Sequence, residues 1–321
     1  MALIHELNCA STRKNTGFGA GCPLDWKLVA GAIIWDGPVV FEASWLANFS
    51  VWLQANAWQN LPGGVIGGAP RGYPIGNFLN PEDATEKPTI QTFSDGSKAK
   101  VRDGTYDWTF DFTSGGFPLL QALQTHDGNS TEYAIFYDKN NNVLGWNNNG
   151  KFAAIPLQIF DALPWMMNDG SKTAKYSVHF VFSKVYANDY AEYFNAGFNM
   201  GQIVGLQDIR IVVNGWNQAT GQANVTFLTE NGGTNLYSLY SAEFNTTTLG
   251  ATNGDTGAAL PITSITPIPS NQTFLIQFPT GNANYPSDGN IVLAFALPSV
   301  LAANGLVGFA GESAIMDVTS S

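Results

Sequence analysis

At 321 residues the chain exceeds one compact core of the commonest size, which predicts two domains. Its residues are 45% apolar but only 12% charged, against about 25% charged in an average globular chain. The net charge of −11 argues against a reader of nucleic acid, which needs cations to displace counterions from phosphate, and the many aromatics argue against disorder.

Residues 1–30 form a polar, Gly-rich arm with little periodicity; it holds Arg13 and Lys14, and Cys9 and Cys22. The two cysteines either pair or stay as free thiols; with three scattered histidines (His5, His126, His179) they do not make the four ligands of a zinc site. No run of 18 apolar residues and no signal peptide is visible, so no membrane partner is expected. The run "KLVAGAIIW" (27–35) predicts a short apolar strand. "FEASWLANFSVWLQANAWQ" (41–59) predicts a helix: Trp45, Phe49, Trp52 and Leu53 recur at helical spacing with Leu46, Ser44 is a candidate N-cap, and Pro62 stops it. Its aromatic stripe reads as a face packed on a sheet. Residues 61–88, rich in Pro and Gly and without a period, predict a long loop.

Strands are predicted at 89–93 and 98–101 around a "SDGS" turn, then in "DGTYDWTFDF" (103–112). There Tyr106, Trp108, Phe110 and Phe112 point one way, and Thr105, Asp107, Thr109 and Asp111 the other. On a regular strand the two carboxylates stand about 13–14 Å apart, at about 3.4 Å per residue. A glycosidase pair needs roughly 5–10 Å, so a wet strand face opposite a buried aromatic face is the stronger reading. Residues 115–128 predict a short helix, 132–138 and 143–146 a hairpin about "KNNN", and 151–163 and 174–185 further strands, the last with His179 on its more polar face. "DKNNNVLGW" (138–146) starts like a calcium loop but has Val143 where glycine belongs and Asn149 where glutamate belongs, so it reads as a turn.

From Leu206 onward there is one basic residue, Arg210, against seven acids. "QDIRIVVNG", "GQANVTFLT", "NLYSLYSAEF", "PITSITPI", "QTFLIQF", "GNIVLAFALP" and "SAIMDV" predict some seven short strands, the architecture of an immunoglobulin-like sandwich without its Cys–Trp–Cys hallmark. The fold class is therefore mainly β, with a domain boundary near 200–206: one domain of 1–205 and one of 206–321. Trp216, Tyr237, Tyr240 and Tyr285 are candidate surface-binding aromatics for a glycan, against the reading that they belong to the core or its rim. "GFGAG" (17–21) is no phosphate loop, and G-x-S-x-G, CxxC and HExxH are absent. No catalytic residue, metal ligand or cofactor site is predicted, and the chain is not expected to be an enzyme.

On "MALIHELNCASTRKNTGFGAGC", "RGYPIGNF" (71–78), "EKPTIQTFSDGSKAKVRDGTYDWTFDF" (86–112) and "EYAIFYDKNNNVLGW" (132–146), residues 1–205 resemble structural proteins of tailed phages, most of all major tail tube proteins. The remainder is similar to immunoglobulin-like domains appended to tail tube and capsid proteins. The resemblance implies a tail-tube-like β-sandwich or barrel with one or two flanking helices and a C-terminal immunoglobulin-like sandwich. It implies a virion location after assembly in the host cytoplasm. The implied partners are other copies in stacked, commonly hexameric rings, other virion proteins, and DNA passing through without specific binding. Asp107 and Asp111 are then candidate lumen-facing acids that keep DNA from adhering. A capsid or decoration protein, and a glycan-binding module, are the alternatives.

Overall fold

The structure, a computed structural model, describes residues 28–42, 46, 49, 53, 72–113, 115–128, 131–167, 174–186, 190–203, 205–286, 289–311 and 313–317. Cys9, Cys22, Ser44, Trp45, Trp52 and nearly all of the expected N-terminal arm lie outside them. The fold is mainly β, and the chain divides into two compact units, Met1–Gly205 and Leu206–Ser321.

In the first unit the described strands are β1 (Val29–Trp35), β2 (Val40–Phe41), β3 (Gly72–Gly76), β4 (Leu79–Asp83), β5 (Thr89–Thr92), β6 (Lys98–Arg102), β7 (Thr105–Phe112), β8 (Tyr133–Asp138), β9 (Asn142–Asn148), β10 (Lys151–Ala153), β11 (Ile155–Met166), β12 (Lys175–Ser183) and β13 (Ala191–Asn195). Helix α1 (Gly116–Gln124) follows β7. The main sheet runs β2-β10-β9-β8-β11-β12-β7-β4, with β1 between β3 and β8 and with β13 on β9.

Strands β1 and β8 read as continuous apolar runs because both of their faces are covered. Ile33, Trp35, Ile135 and Tyr137 enter one core, beside Phe41, Phe152, Phe194 and Met200. Ala32, Ile34, Ala134 and Phe136 enter the other, beside Phe110, Phe112, Phe160, Phe180 and Phe182. The predicted helix is present at its described residues: Leu46, Phe49 and Leu53 are helical, and all three pack on the first core. Helix α1 places Leu120 and Leu123 in the second.

Two expectations need correction. The described part of the 61–88 loop contains strands β3 and β4. Its glycines serve close packing rather than turning: a Cβ at Gly72 would stand 2.9 Å from Trp35 Nε1. Pro74 fits because, among the described residues, β3 pairs only with β1 and so lies on an edge. The segment "NLYSLYSAEF" is not a strand. It forms the short helix α2 (Tyr237–Tyr240), where Leu236, Tyr240 and Phe244 recur every four residues against the core and the Asn235 side chain accepts the Tyr237 N–H at 2.9 Å.

The second unit carries β14 (Gln207–Asn217), β15 (Gln222–Thr229), β16 (Leu249–Asn253), β17 (Ala259–Leu260), β18 (Ser264–Ile268), β19 (Thr273–Gln277), β20 (Asn290–Phe295), helix α3 (Pro298–Ala303), β21 (Phe309–Gly311) and β22 (Ser313–Asp317). They form one sheet ordered β18-β19-β15-β14-β21 and another ordered β17-β16-β20-β22. Side chains from both meet in one core around Phe227, Phe274, Ile276, Leu293 and Phe295. Strand β15 alternates buried and half-buried residues, as a strand covered on one face must.

Candidate functional site

The outward face of β7, β12 and β11 carries a connected set of polar residues. The aromatic parity of β7 is inward: Phe110 and Phe112 are buried, with Tyr106 and Trp108 packed beside them. The other parity meets β12 in register, Asp111 opposite Ser177 and Thr109 opposite His179, while Asp161 of β11 lies opposite His179 on its other side.

Asp111 is not the solvated acid that a wet face implies. It is 4% exposed, and its carboxylate accepts from Lys175 Nζ at 2.6 Å, Ser177 Oγ at 2.6 Å and Asn80 Nδ2 at 3.3 Å. Burial pushes its carboxyl up, but these hydrogen bonds and the lysine charge outweigh burial and hold it below the usual carboxylate value. Asp107 is half-buried and meets His179 Nε2 at 2.7 Å; Asp161 Oδ2 lies 3.7 Å from Nδ1 of the same ring. His179 therefore bridges three strands rather than standing alone in solvent. Ser177 gives its hydrogen bond to Asp111, so that hydroxyl is spent on a carboxylate. Among the described residues no group of three or more His, Cys, Asp or Glu is arranged to hold a metal ion.

The other described histidine of this unit, His126, is also paired. His126 Nδ1 lies 3.1 Å from Glu132 Oε1, and its ring meets Tyr73 at 4.6 Å. Glu132 is 2% exposed and its Oε2 is buried without a hydrogen-bond partner. The calcium-like loop is a turn, as its residues indicated. Asp138 accepts the N–H groups of Asn140 and Asn142 at 2.8 Å each and the Asn142 side chain at 2.9 Å, and Asn141 takes φ 62°.

The candidate aromatics of the second unit do not form an exposed platform. Trp216 stacks on Tyr285 at 6.2 Å and meets Phe278 at 5.7 Å; Tyr237 meets Phe274 at 5.3 Å and Tyr240 meets Phe309 at 5.4 Å. All four are only partly exposed and pack against the core. Burial raises the Tyr285 hydroxyl's pKa, and that hydroxyl donates to Gln218 O at 3.0 Å. A hollow of about 370 Å³ does lie on this unit, lined by Thr252, Val292 and Ala294 among others, with no charged residue in its wall.

Two surface features were not anticipated as a site. Among the described residues strands β5 and β6 pair only with each other, and they are exposed along their whole length, including Ile90 (60%) and Val101 (61%). At the end of β11 an apolar patch stands in solvent: Leu163, Trp165, Met166 and Met167 (72% exposed), with Phe117 of α1 5.8 Å from Trp165 ring to ring. The run "ALPWMM" after Asp161 was the sequence signal for the patch, since it carries apolar character past the end of the alternation. No family model and no curated protein matches the chain. No helix among the described residues is long and apolar enough to cross a membrane.

Proposed function

We propose that the chain is a virion structural protein whose copies close into rings and stack into the tail tube that conducts DNA. The observation that supports it most is the exposed β5–β6 ribbon. A two-stranded hairpin is marginal alone in water, and this one presents Ile90, Phe93 and Val101 to solvent. Such an element is stabilised by a surface it docks on. The end strands of the main sheet, β2 and β4, have no further strand beside them among the described residues, and pairing across copies would satisfy such edges.

In this reading Asp107 is the lumen-facing acid. Asp111 contributes little bare charge because Lys175 meets it. The C-terminal unit is an appended immunoglobulin-like sandwich. The packing of Trp216, Tyr237, Tyr240 and Tyr285 on the core gives no support to the glycan-binding alternative. Negative-stain electron microscopy at low and high protein concentration tests the proposal. Hollow tubes or rings of constant width are expected; single particles at every concentration would refute it.

A further inference from the structure

The ribbon continues the backbone ladder of the sheet. Strands β4 and β7 pair, and the ladder continues past them: Ala84 N–H donates to Asp107 O at 2.9 Å and Glu86 N–H to Thr105 O at 3.0 Å, before β5 pairs with β6. At its root Gly104 lets the chains close, since a Cβ there would fall 2.1 Å from Glu86 O. At its tip Asp95 accepts the Ser97 hydroxyl at 2.6 Å and the Ser97 N–H at 2.9 Å. The ribbon is thus preorganised at both ends, and yet nothing in the first unit's cores includes Ile90, Phe93 or Val101.

The ribbon and the β11 patch are complementary. The ribbon carries Lys98, Lys100 and Arg102, with Asp95 the one acid between Thr89 and Arg102. Lys100 and Arg102 reach Asp103 and Glu86, but those pairs are largely exposed and so are exchanged at little cost. The patch offers the ring faces of Trp165 and Phe117, which attract cations, and two methionines, which adapt to an incoming surface. Two acids stand beside it: Asp161, and the exposed Asp127, whose Oδ1 accepts the Ala162 N–H at 2.9 Å. Both features belong to one unit and lie on different elements. Two unlike, complementary surfaces on one chain are what a head-to-tail contact needs.

We infer that the β5–β6 ribbon of one copy docks on the Phe117–Leu163–Trp165–Met166–Met167 patch of a second copy, with Lys98, Lys100 and Arg102 toward Asp127 and Asp161. The contact rests on the self-assembly reading above and names the surfaces that carry it.

The test places photoreactive p-benzoylphenylalanine at position 93, in an equal mixture of light and heavy isotope-labelled full-length chains. After irradiation, cross-links joining a light to a heavy chain are expected at residue 117 or within 163–167. Cross-links confined to one copy, directed elsewhere, or absent at the highest concentration would overturn the contact. Lys98→Glu with Lys100→Glu should lower the yield about tenfold, equal to about 1.4 kcal/mol, while Lys98→Arg with Lys100→Arg keeps it. Both positions are exposed, so a circular dichroism spectrum should be unchanged. Electron microscopy of the same samples separates the two ideas. Tubes without these cross-links sink the contact and leave the tube; the cross-links without tubes or rings do the reverse.

Discussion

Replacing Asp111 with asparagine removes the charge that Lys175 Nζ meets at 2.6 Å while keeping the side chain's volume and an acceptor for Ser177 Oγ. A hydrogen bond to a charged group contributes about 1.5–3 kcal/mol. Lys175 is 32% exposed and can turn toward water, so its own loss is partly recovered. The expected cost is about 2 kcal/mol, or a fall of roughly 4–8 °C in the melting temperature of a unit this size. Lys175→Met alone should cost more, about 3 kcal/mol, because it leaves a buried carboxylate without its counter-charge. The double variant Asp111→Asn with Lys175→Met should cost less than the two single changes together. The pH dependence has a definite sign. The folded carboxyl value lies below the unfolded one, so the stabilisation is present above about pH 3.9 and is lost as pH falls through the folded value. The wild-type and Asp111→Asn curves should therefore converge in acid. Urea unfolding of the full chain, followed by near-ultraviolet circular dichroism, measures all of this. A single-variant cost under about 0.5 kcal/mol at neutral pH would refute the reasoning and return Asp111 to the class of ordinary surface acids.

Burial raises the Tyr137 hydroxyl to about 12, so it should make folding stability decline as pH rises from about 10 toward 12, by roughly 1.4 kcal/mol per unit, and Tyr137→Phe should make the alkaline decline shallower by that share, with Tyr106, Tyr176 and Tyr285 supplying the rest. Gly31→Ala should destabilise the first unit by about 3 kcal/mol or more, read by thermal unfolding, because its Cβ would stand 2.2 Å from the Tyr137 hydroxyl and 2.5 Å from Ile75 O. Asp138→Ala, which strips three hydrogen bonds from the β8–β9 turn, should cost about 1–3 kcal/mol and raise amide exchange at Asn140 and Asn142. Trp216→Ala should lower stability by about 3–5 kcal/mol, as loss of a packed ring does; an unchanged melting curve would return it to the candidate surface.

Much of the fold was legible because local pattern and burial agree along single strands. The alternation of β7 separates Phe110 and Phe112 from Asp107 and Asp111 with no outside information. The unbroken apolar runs of β1 and β8 announce strands covered on both faces. Two segments were misread for a shared reason. Gly72 and Gly76 look like turn residues, and their use in β3 depends on the Trp35 and Tyr137 rings they must clear. The tyrosines near 240 look like strand residues, and only the core they face shows the period of four.

The polar residues were the least legible. Asp107 and Asp111 have the same spacing, type and parity, yet one is half-buried against His179 and the other is enclosed by Lys175, Ser177 and Asn80. Lys175 is 64 residues away from Asp111 and His179 is 72 away from Asp107, so no local window contains either pair. The sequence by itself determined a mainly β chain, the side of β7 and of β12 that faces the core, and the acidity of the whole, because periodicity and charge are properties of neighbours in the chain. Tertiary structure decided which acids keep a free charge, which aromatics stay in solvent, and which hairpin stands off the sheet, because burial and pairing depend on strands brought together from far apart.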